Sequence, residues 1–230
     1  MSGADPQLTR TAIDVAPLLL GSILTVQREG HRVGVRITEV EAYEGSADPG
    51  SHAYRGRTAR NDSLFGPPGT LYCYFTYGMH HCANIVCGAD GRASAVLLRA
   101  GEIITGAETA RARRRNPRRD RDLANGPAKL AQAVGLDLQC NGLELITGVQ
   151  GMGLRELDAV PSPLGATLSS LPETAPQGVR CGPRVGVAGP GGSNDYPWRF
   201  WLDHEPTVSA YRAAKPRNRP KPAGNPGRKD

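Results

Sequence analysis

The spacing of apolar and polar residues changes period several times along the chain, and each change marks an element. From His31 to Tyr43 it alternates with a period of two, which puts Val33, Val35, Ile37, Glu39, Glu41 and Tyr43 on one strand face whose first half is apolar. Residues 22–26 alternate in the same way, and Glu29-Gly30 between the two runs reads as a hairpin turn. Further strands are predicted at 70–76, 82–87 and 94–99, with turns at Tyr77-Gly78 and Asp90-Gly91. Later strands are predicted at 143–146, 182–187 and 198–202, with a proline-rich separator over 160–176. Helical spacing marks 14–20, with Asp14 as N-cap and an early proline, Pro17. It also marks 101–115, with a basic end, and 125–135, where Pro127 sits in the first turn and Gly135 follows the last.

Residues 1–10 read as a flexible start, 11–206 as one domain, and 207–230 as a basic, proline-rich tail expected to be disordered. Short turns join the early strands, and the helices fall between the early and late strand groups. That order predicts an α+β fold: a single mixed domain with a curved, mainly antiparallel sheet and surrounding helices. The order of the strands is not readable from the pattern.

Composition narrows the partners. At 230 residues and 24.4 kDa, one large domain with a full core is expected. A net charge of +6 and a pI near 9.3 favour a polyanionic partner, and seven arginines fall within residues 111–121. The first residues lack a basic start followed by an apolar stretch, and no apolar run reaches the length of a membrane span. Five cysteines without a CxxC pair point to reduced thiols. The expectation is a cytoplasmic monomer.

Candidate chemistry gathers around Glu41. A strand glutamate is most often a solvated or ion-paired surface group, but the apolar parity of this face puts Glu41 at the mouth of a core, where a carboxylate can act as a general base. Glu39 shares the parity and competes for the role. Glu41 lies nearer the loop 45–50, and position alone does not separate them. The loop 50–61 mixes His52, Tyr54, Arg55, Arg57 and Arg60 among glycines, residues suited to phosphates and planar rings, although a solvated loop has the same composition. Tyr72 and Tyr74 share a strand face, while Tyr77 precedes Gly78 at a turn tip and suits a wedge entering a duplex; three core tyrosines are the commoner arrangement. His80-His81-Cys82 with Cys87 fits no standard zinc spacing, so no metal is expected. Arg99 closes an apolar strand and can neutralise a carboxylate, or simply face solvent.

Several ordered motifs then match one family. Thr38-Glu-Val-Glu41-Ala-Tyr43, His52 with Arg-Gly-Arg57-Thr-Ala-Arg60-Asn61, Pro68-Gly-Thr-Leu-Tyr72-Cys-Tyr74-Phe-Thr-Tyr77-Gly-Met, Asn84-Ile, Val96-Leu-Leu-Arg99-Ala, Gly126-Pro-Ala-Lys-Leu and Arg184-Val-Gly-Val187 resemble the alkyladenine (3-methyladenine) DNA glycosylases over about residues 10–205. The resemblance implies a monofunctional base-excision enzyme acting on double-stranded DNA that contains damaged purines, without metal or other cofactor. It implies Glu41 as the base that activates water, with Arg99 and the carbonyl of Val185 holding that water. Tyr43, His52 and Tyr74 would sandwich the flipped base, Asn84 would exclude guanine, Tyr77 would intercalate, and Arg57 and Arg60 would meet the DNA backbone. His80-His81 beside the wedge and the basic tail depart from the family pattern. Two rivals remain at this level: a non-catalytic module binding distorted DNA or structured RNA, which has no need of Glu41, and a metal-dependent nuclease built on His80, His81 and Cys82.

Overall fold

In chain order, α1 (Ala12–Leu19) precedes β1 (Ile23–Arg28) and β2 (His31–Tyr43). β3 (Leu71–Thr76), β4 (His80–Val86) and β5 (Ala95–Thr105) follow, then α2 (Ala107–Arg113), α3 (Pro127–Val134) and β6 (Ile146–Val149). α4 (Leu154–Asp158), β7 (Leu164–Ser169), β8 (Val179–Gly182) and β9 (Arg199–Leu202) complete the computed structural model, which describes residues 4–76, 78–159 and 163–214. The strands form one curled sheet in the order β3-β4-β5-β2-β1-β7-β6, with β9 pairing to β2 and β8. Among the described strand pairs only β6 and β7 run parallel. The predicted α+β class with a mainly antiparallel sheet is the one observed.

β2 organises the site because no single neighbour covers its 13 residues. On one edge β1 pairs with residues 31–36 and β9 with 39–41, while β5 runs along the other edge. The β2–β5 register shifts between Ile37 and Glu39 and again between Glu39 and Val40. Such bulges bend a strand and reset which residues face which side. Val33, Val35 and Ile37 therefore share the main core with Val40 and Ala42, not with Glu39 and Glu41. The single face predicted for 33–43 is thus split by the bulge, and both glutamates point away from the main core. That core is closed by α1 and α3, through Val15, Leu19, Leu130 and Val134.

Other boundaries moved for local reasons. The start expected to be loose carries a 3₁₀ turn at Pro6–Thr9, with Leu8 buried, and Asp5 accepts the amide of Leu171. Thr11, not Asp14, caps α1, its hydroxyl accepting from the Asp14 amide. β5 continues to Thr105 where a helix was expected, since the first half of β2 needs a partner on that edge; Gly101 allows the approach, because a Cβ there would collide with Val35 and the Arg36 carbonyl. The helix is confined to α2, entered through left-handed Gly106 against the Arg32 carbonyl. β7, with Ala166 and Leu168 buried beside β1, lies within the supposed separator. β6 and β8 are displaced from the predicted 143–146 and 182–187. At the other end Thr207 is buried and bonded to Thr38, so the ordered packing passes residue 206; the rest of the predicted tail, 215–230, lies outside the described residues.

Candidate active site

The sheet face opposite the main core presents alternate residues of four adjacent strands. Tyr72 of β3 registers with Asn84 of β4, Asn84 with Leu97 of β5, and Leu97 with Glu41 of β2. One row thus runs across the sheet from an aromatic ring to a carboxylate. Together with Tyr43, His52, Tyr74, Arg99 and the loop 185–188, these residues line a cavity of about 420 Å³, within the range of small-molecule sites.

Glu41 is fully buried at the wall of this cavity, and three donors converge on it. The Tyr43 hydroxyl donates to Oε2 at 2.8 Å, the Val185 amide donates to Oε1 at 2.7 Å, and Arg99 Nη1 lies 3.2 Å from Oε1. Val185 thus meets Glu41 through its N–H, where the resemblance had assigned a role to its carbonyl. Burial pushes the Tyr43 phenol well above its usual range, and the Glu41 charge adds to this, so the hydroxyl remains a donor.

Glu39 is the carboxylate that the structure spends on scaffolding. Oε1 accepts from Arg99 Nε at 2.8 Å, Arg199 Nε at 2.7 Å and the Ser209 hydroxyl at 2.9 Å, while Oε2 accepts from the Ser209 amide at 2.8 Å. Burial opposes its ionisation, but Arg99 and Arg199 outweigh that and hold its pKa below the ordinary value. Glu39 does not line the cavity, so the two carboxylates that sequence position left unresolved have different surroundings. Arg99 bridges them and is itself buried. Its own pKa reflects two opposed effects, burial lowering it and the two glutamates raising it to a net increase.

The aromatic wall is built from rings that brace one another. Tyr72 and Tyr74 stack with centroids 5.4 Å apart, and His52 meets Tyr74 edge-on at 4.6 Å. His52 Nδ1 lies 3.1 Å from the Tyr72 hydroxyl. Burial, assisted by nearby Arg60, lowers the His52 pKa and favours a neutral ring. Burial raises Tyr72 to about 12, and Tyr74 rises for the same reason. Asn84 is fixed by donating to the Tyr72 carbonyl at 3.1 Å.

The expected backbone contacts sit outside the cavity. Arg57 pairs with Asp62 at 2.6 Å on the surface, and Arg60 donates to the Phe75 carbonyl at 3.2 Å, tying the loop to β3. Tyr77 lies outside the described residues, between Thr76 and left-handed Gly78. All five cysteines are free, and among the described residues no cluster of three His, Cys, Asp or Glu side chains could hold a metal.

Sequence reasoning assigned no role to Arg184, one of the most enclosed side chains in the molecule. Its Nη1 and Nη2 each lie 2.6 Å from an Asp48 oxygen, Nη1 also reaches the Ala42 carbonyl, and Nε reaches the Gly191 carbonyl. The guanidinium stacks 4.4 Å from the Tyr43 ring, and its chain neighbour supplies the amide on Glu41. Its partner is 136 residues away and no periodicity links the two, so nothing local flags it. Ser209 was missed likewise, since a serine inside the expected basic tail, 207–230, gives no hint that it meets a buried carboxylate.

Comparison with known proteins gives this constellation a context. The family model for methylpurine-DNA glycosylase matches residues 6–206. A protein of Streptomyces avermitilis named "Putative 3-methyladenine DNA glycosylase" is 54% identical over 91% of this chain and 92% of its own length. Proteins of the same name from Leifsonia xyli subsp. xyli and Cutibacterium acnes are 48% and 47% identical, over 88% and 89% of this chain and 89% and 98% of their own lengths. The described residues contain no helix long and apolar enough to cross a membrane. Matched over most of its length by the family model and by relatives of one name, the chain belongs to the methylpurine-DNA glycosylase family and is a DNA glycosylase, a hydrolase of the 3-methyladenine type.

Proposed function

We propose that the protein flips alkylated or deaminated purines, of the 3-methyladenine, hypoxanthine and etheno-adenine class, out of duplex DNA and hydrolyses the N-glycosidic bond with a Glu41-activated water. The observation that carries this reading is a buried carboxylate, oriented by Tyr43, Val185 and Arg99, at the wall of a cavity lined with tyrosines. Flipping costs a few kcal/mol of stacking and pairing, which an aromatic pocket offsets and which is smallest for poorly paired lesions. Tyr43, His52 and Tyr74 hold the base, Tyr77 fills the vacated stack, and Arg57 and Arg60 contact the backbone. Asn84, locked to the Tyr72 carbonyl, crowds the exocyclic amine of guanine.

As the C1′–N bond lengthens, the sugar gains oxocarbenium character and the purine takes the bonding electron pair. The Glu41 carboxylate stabilises that positive charge and receives one proton from the attacking water, whose oxygen bonds to C1′. Arg99 and the Val185 carbonyl orient the water, while the Val185 N–H and the Tyr43 hydroxyl keep the carboxylate in place. A cationic 3-alkylpurine leaves as a neutral base, whereas a hypoxanthine or etheno-adenine anion takes up one proton from solvent as Glu41 gives up the proton it received; the products are the free base and an abasic site in an uncut strand, formed by one protein molecule without cofactor.

The test is a set of duplexes, each with a single lesion, scored for released base and for alkali-labile abasic product. Release from 3-methyladenine or hypoxanthine duplexes is expected, with guanine opposite cytosine left intact. Binding without base release would favour a non-catalytic DNA module, and strand cleavage before alkali would favour a nuclease.

A further inference from the structure

A second cavity, of about 570 Å³, lies between the end of α2, the side and end of α3, and the β3–β4 hairpin. Pro127 and Thr76 line the first cavity, whereas Ala128 and Met79 line the second, so the hairpin and the first turn of α3 separate two adjacent spaces. We propose that this groove holds the phosphate backbone of the DNA strand as it leaves the active-site pocket past the hairpin. The proposal rests on the glycosylase reading, and it gives a function to the His80-His81 pair and to part of the arginine run.

Three successive arginines, Arg113, Arg114 and Arg115, form one wall. The chain reverses there through left-handed Arg115 and Asn116, with the Asn116 amide donating to the Arg111 carbonyl. Arg113 Nη1 donates to the Ala133 carbonyl, while Arg114 donates through Nε to the Leu123 carbonyl and through Nη1 to the Gln132 amide oxygen. These acceptors are neutral, so they fix the guanidinium groups without cancelling their charge. Among the described residues none of the three is within ion-pair distance of a carboxylate; of the two carboxylates lining the groove, Asp137 is 2.7 Å and Glu29 3.5 Å from Arg28, and Glu29 only partly offsets the effects that lower the Arg113 pKa. Burial, with Arg28 as a like-charged neighbour, lowers the Arg113 pKa, and burial lowers that of Arg114. An anion in the groove would reverse both effects. A guanidinium fork suits a phosphate oxygen pair, and a run of such forks suits a polyphosphate chain more than a single small anion. On the opposite wall His80 and His81 offer ring N–H donors, and exposed Met79 offers an apolar contact beside them.

The experiment measures binding of the intact protein to an undamaged duplex between 50 and 200 mM salt, together with single-turnover excision from a hypoxanthine duplex at saturating enzyme. R114Q/R115Q removes two groove charges, H80Q/H81Q alters the facing wall, and R118Q/R121Q removes two charges from the same run outside the groove. Each phosphate contact contributes about 0.9 to the slope of log affinity against log salt, so R114Q/R115Q should make it shallower by about 1.8. Across 50 to 200 mM salt this changes the ratio of wild-type to variant affinity by roughly tenfold, with the larger deficit at low salt. H80Q/H81Q should weaken binding by a few-fold, R118Q/R121Q should change the slope by less than half as much as R114Q/R115Q, and excision at saturation should stay within about twofold for all three. An unchanged slope in R114Q/R115Q, or an equal change in R118Q/R121Q, would overturn the proposal. If the wild type excises nothing, the glycosylase reading fails, while the binding comparison still reads out the groove.

Discussion

Replacing Arg184 with methionine tests whether the buried arginine is the keystone behind Tyr43 and Glu41. Methionine approximates the aliphatic stem but leaves Asp48, also wholly buried, without the guanidinium that meets both of its oxygens. Removing one partner of a buried pair typically costs about 3–5 kcal/mol, because the remaining charge is stranded. The lost stacking on Tyr43 adds to this, since cation–π contacts are worth roughly 0.5–2 kcal/mol. At about 2–4 °C per kcal/mol for a domain of this size, the melting temperature should fall by roughly 7–28 °C. Urea unfolding followed by circular dichroism gives the free energy directly. In D48N/R184M the stranded charge is gone, so the double variant should be more stable than the sum of the single losses predicts, by at least about 1 kcal/mol. A loss below about 1 kcal/mol in R184M, or simple additivity in the double variant, would refute the reasoning.

Two further predictions concern the pocket itself. Tyr43→Phe keeps the ring on Arg184 but deletes the hydroxyl that donates to Glu41 Oε2; a hydrogen bond to a charged group is worth about 1.5–3 kcal/mol, so single-turnover excision should fall roughly 10- to 100-fold with binding little changed, and a rate equal to wild type would remove the hydroxyl from the mechanism. His52 has its pKa lowered in the folded state by burial and by Arg60. The unfolded chain therefore takes up the proton first, and stability is full above about pH 6.5 and lost as pH falls from there towards the folded value. Comparing urea midpoints at pH 7.5 and 5.5, which stays above the range where Glu39 titrates, the loss should shrink in His52→Gln; equal losses in the two proteins would contradict this assignment.

Much of this architecture was legible in the chain. The hairpin of β1 and β2, the tyrosine-bearing β3 and helix α3 follow from period and turn chemistry, because their residues bury locally patterned faces. Local pattern is blind where a tertiary partner decides the outcome. Alternation alone put Glu41 on the face of Ile37, and the bulges that separate them exist because β5 and β9 both pair with the second half of β2. β7 could not be seen between prolines until its place beside β1 was known. The resemblance pointed to Glu41, Tyr43, His52, Tyr74, Asn84, Arg99 and Val185, and the fold brings all seven to one cavity. It gave no sign that Glu39 anchors Arg99 or that Arg184 backs Tyr43, since those bonds join residues 60 and about 140 positions apart.

The most direct test of the central claim is single-turnover excision by Glu41→Gln on a duplex carrying one hypoxanthine, with binding measured on the same duplex. Glutamine keeps the shape, and its one carbonyl oxygen can still accept from the Val185 amide while its NH2 faces the Tyr43 oxygen, but it can neither take the proton from water nor offset the charge on the sugar. Lesion binding should be retained and excision should fall by at least about 10²-fold, the scale of a lost general base. Excision at the wild-type rate, with Glu41 gone, would contradict that claim.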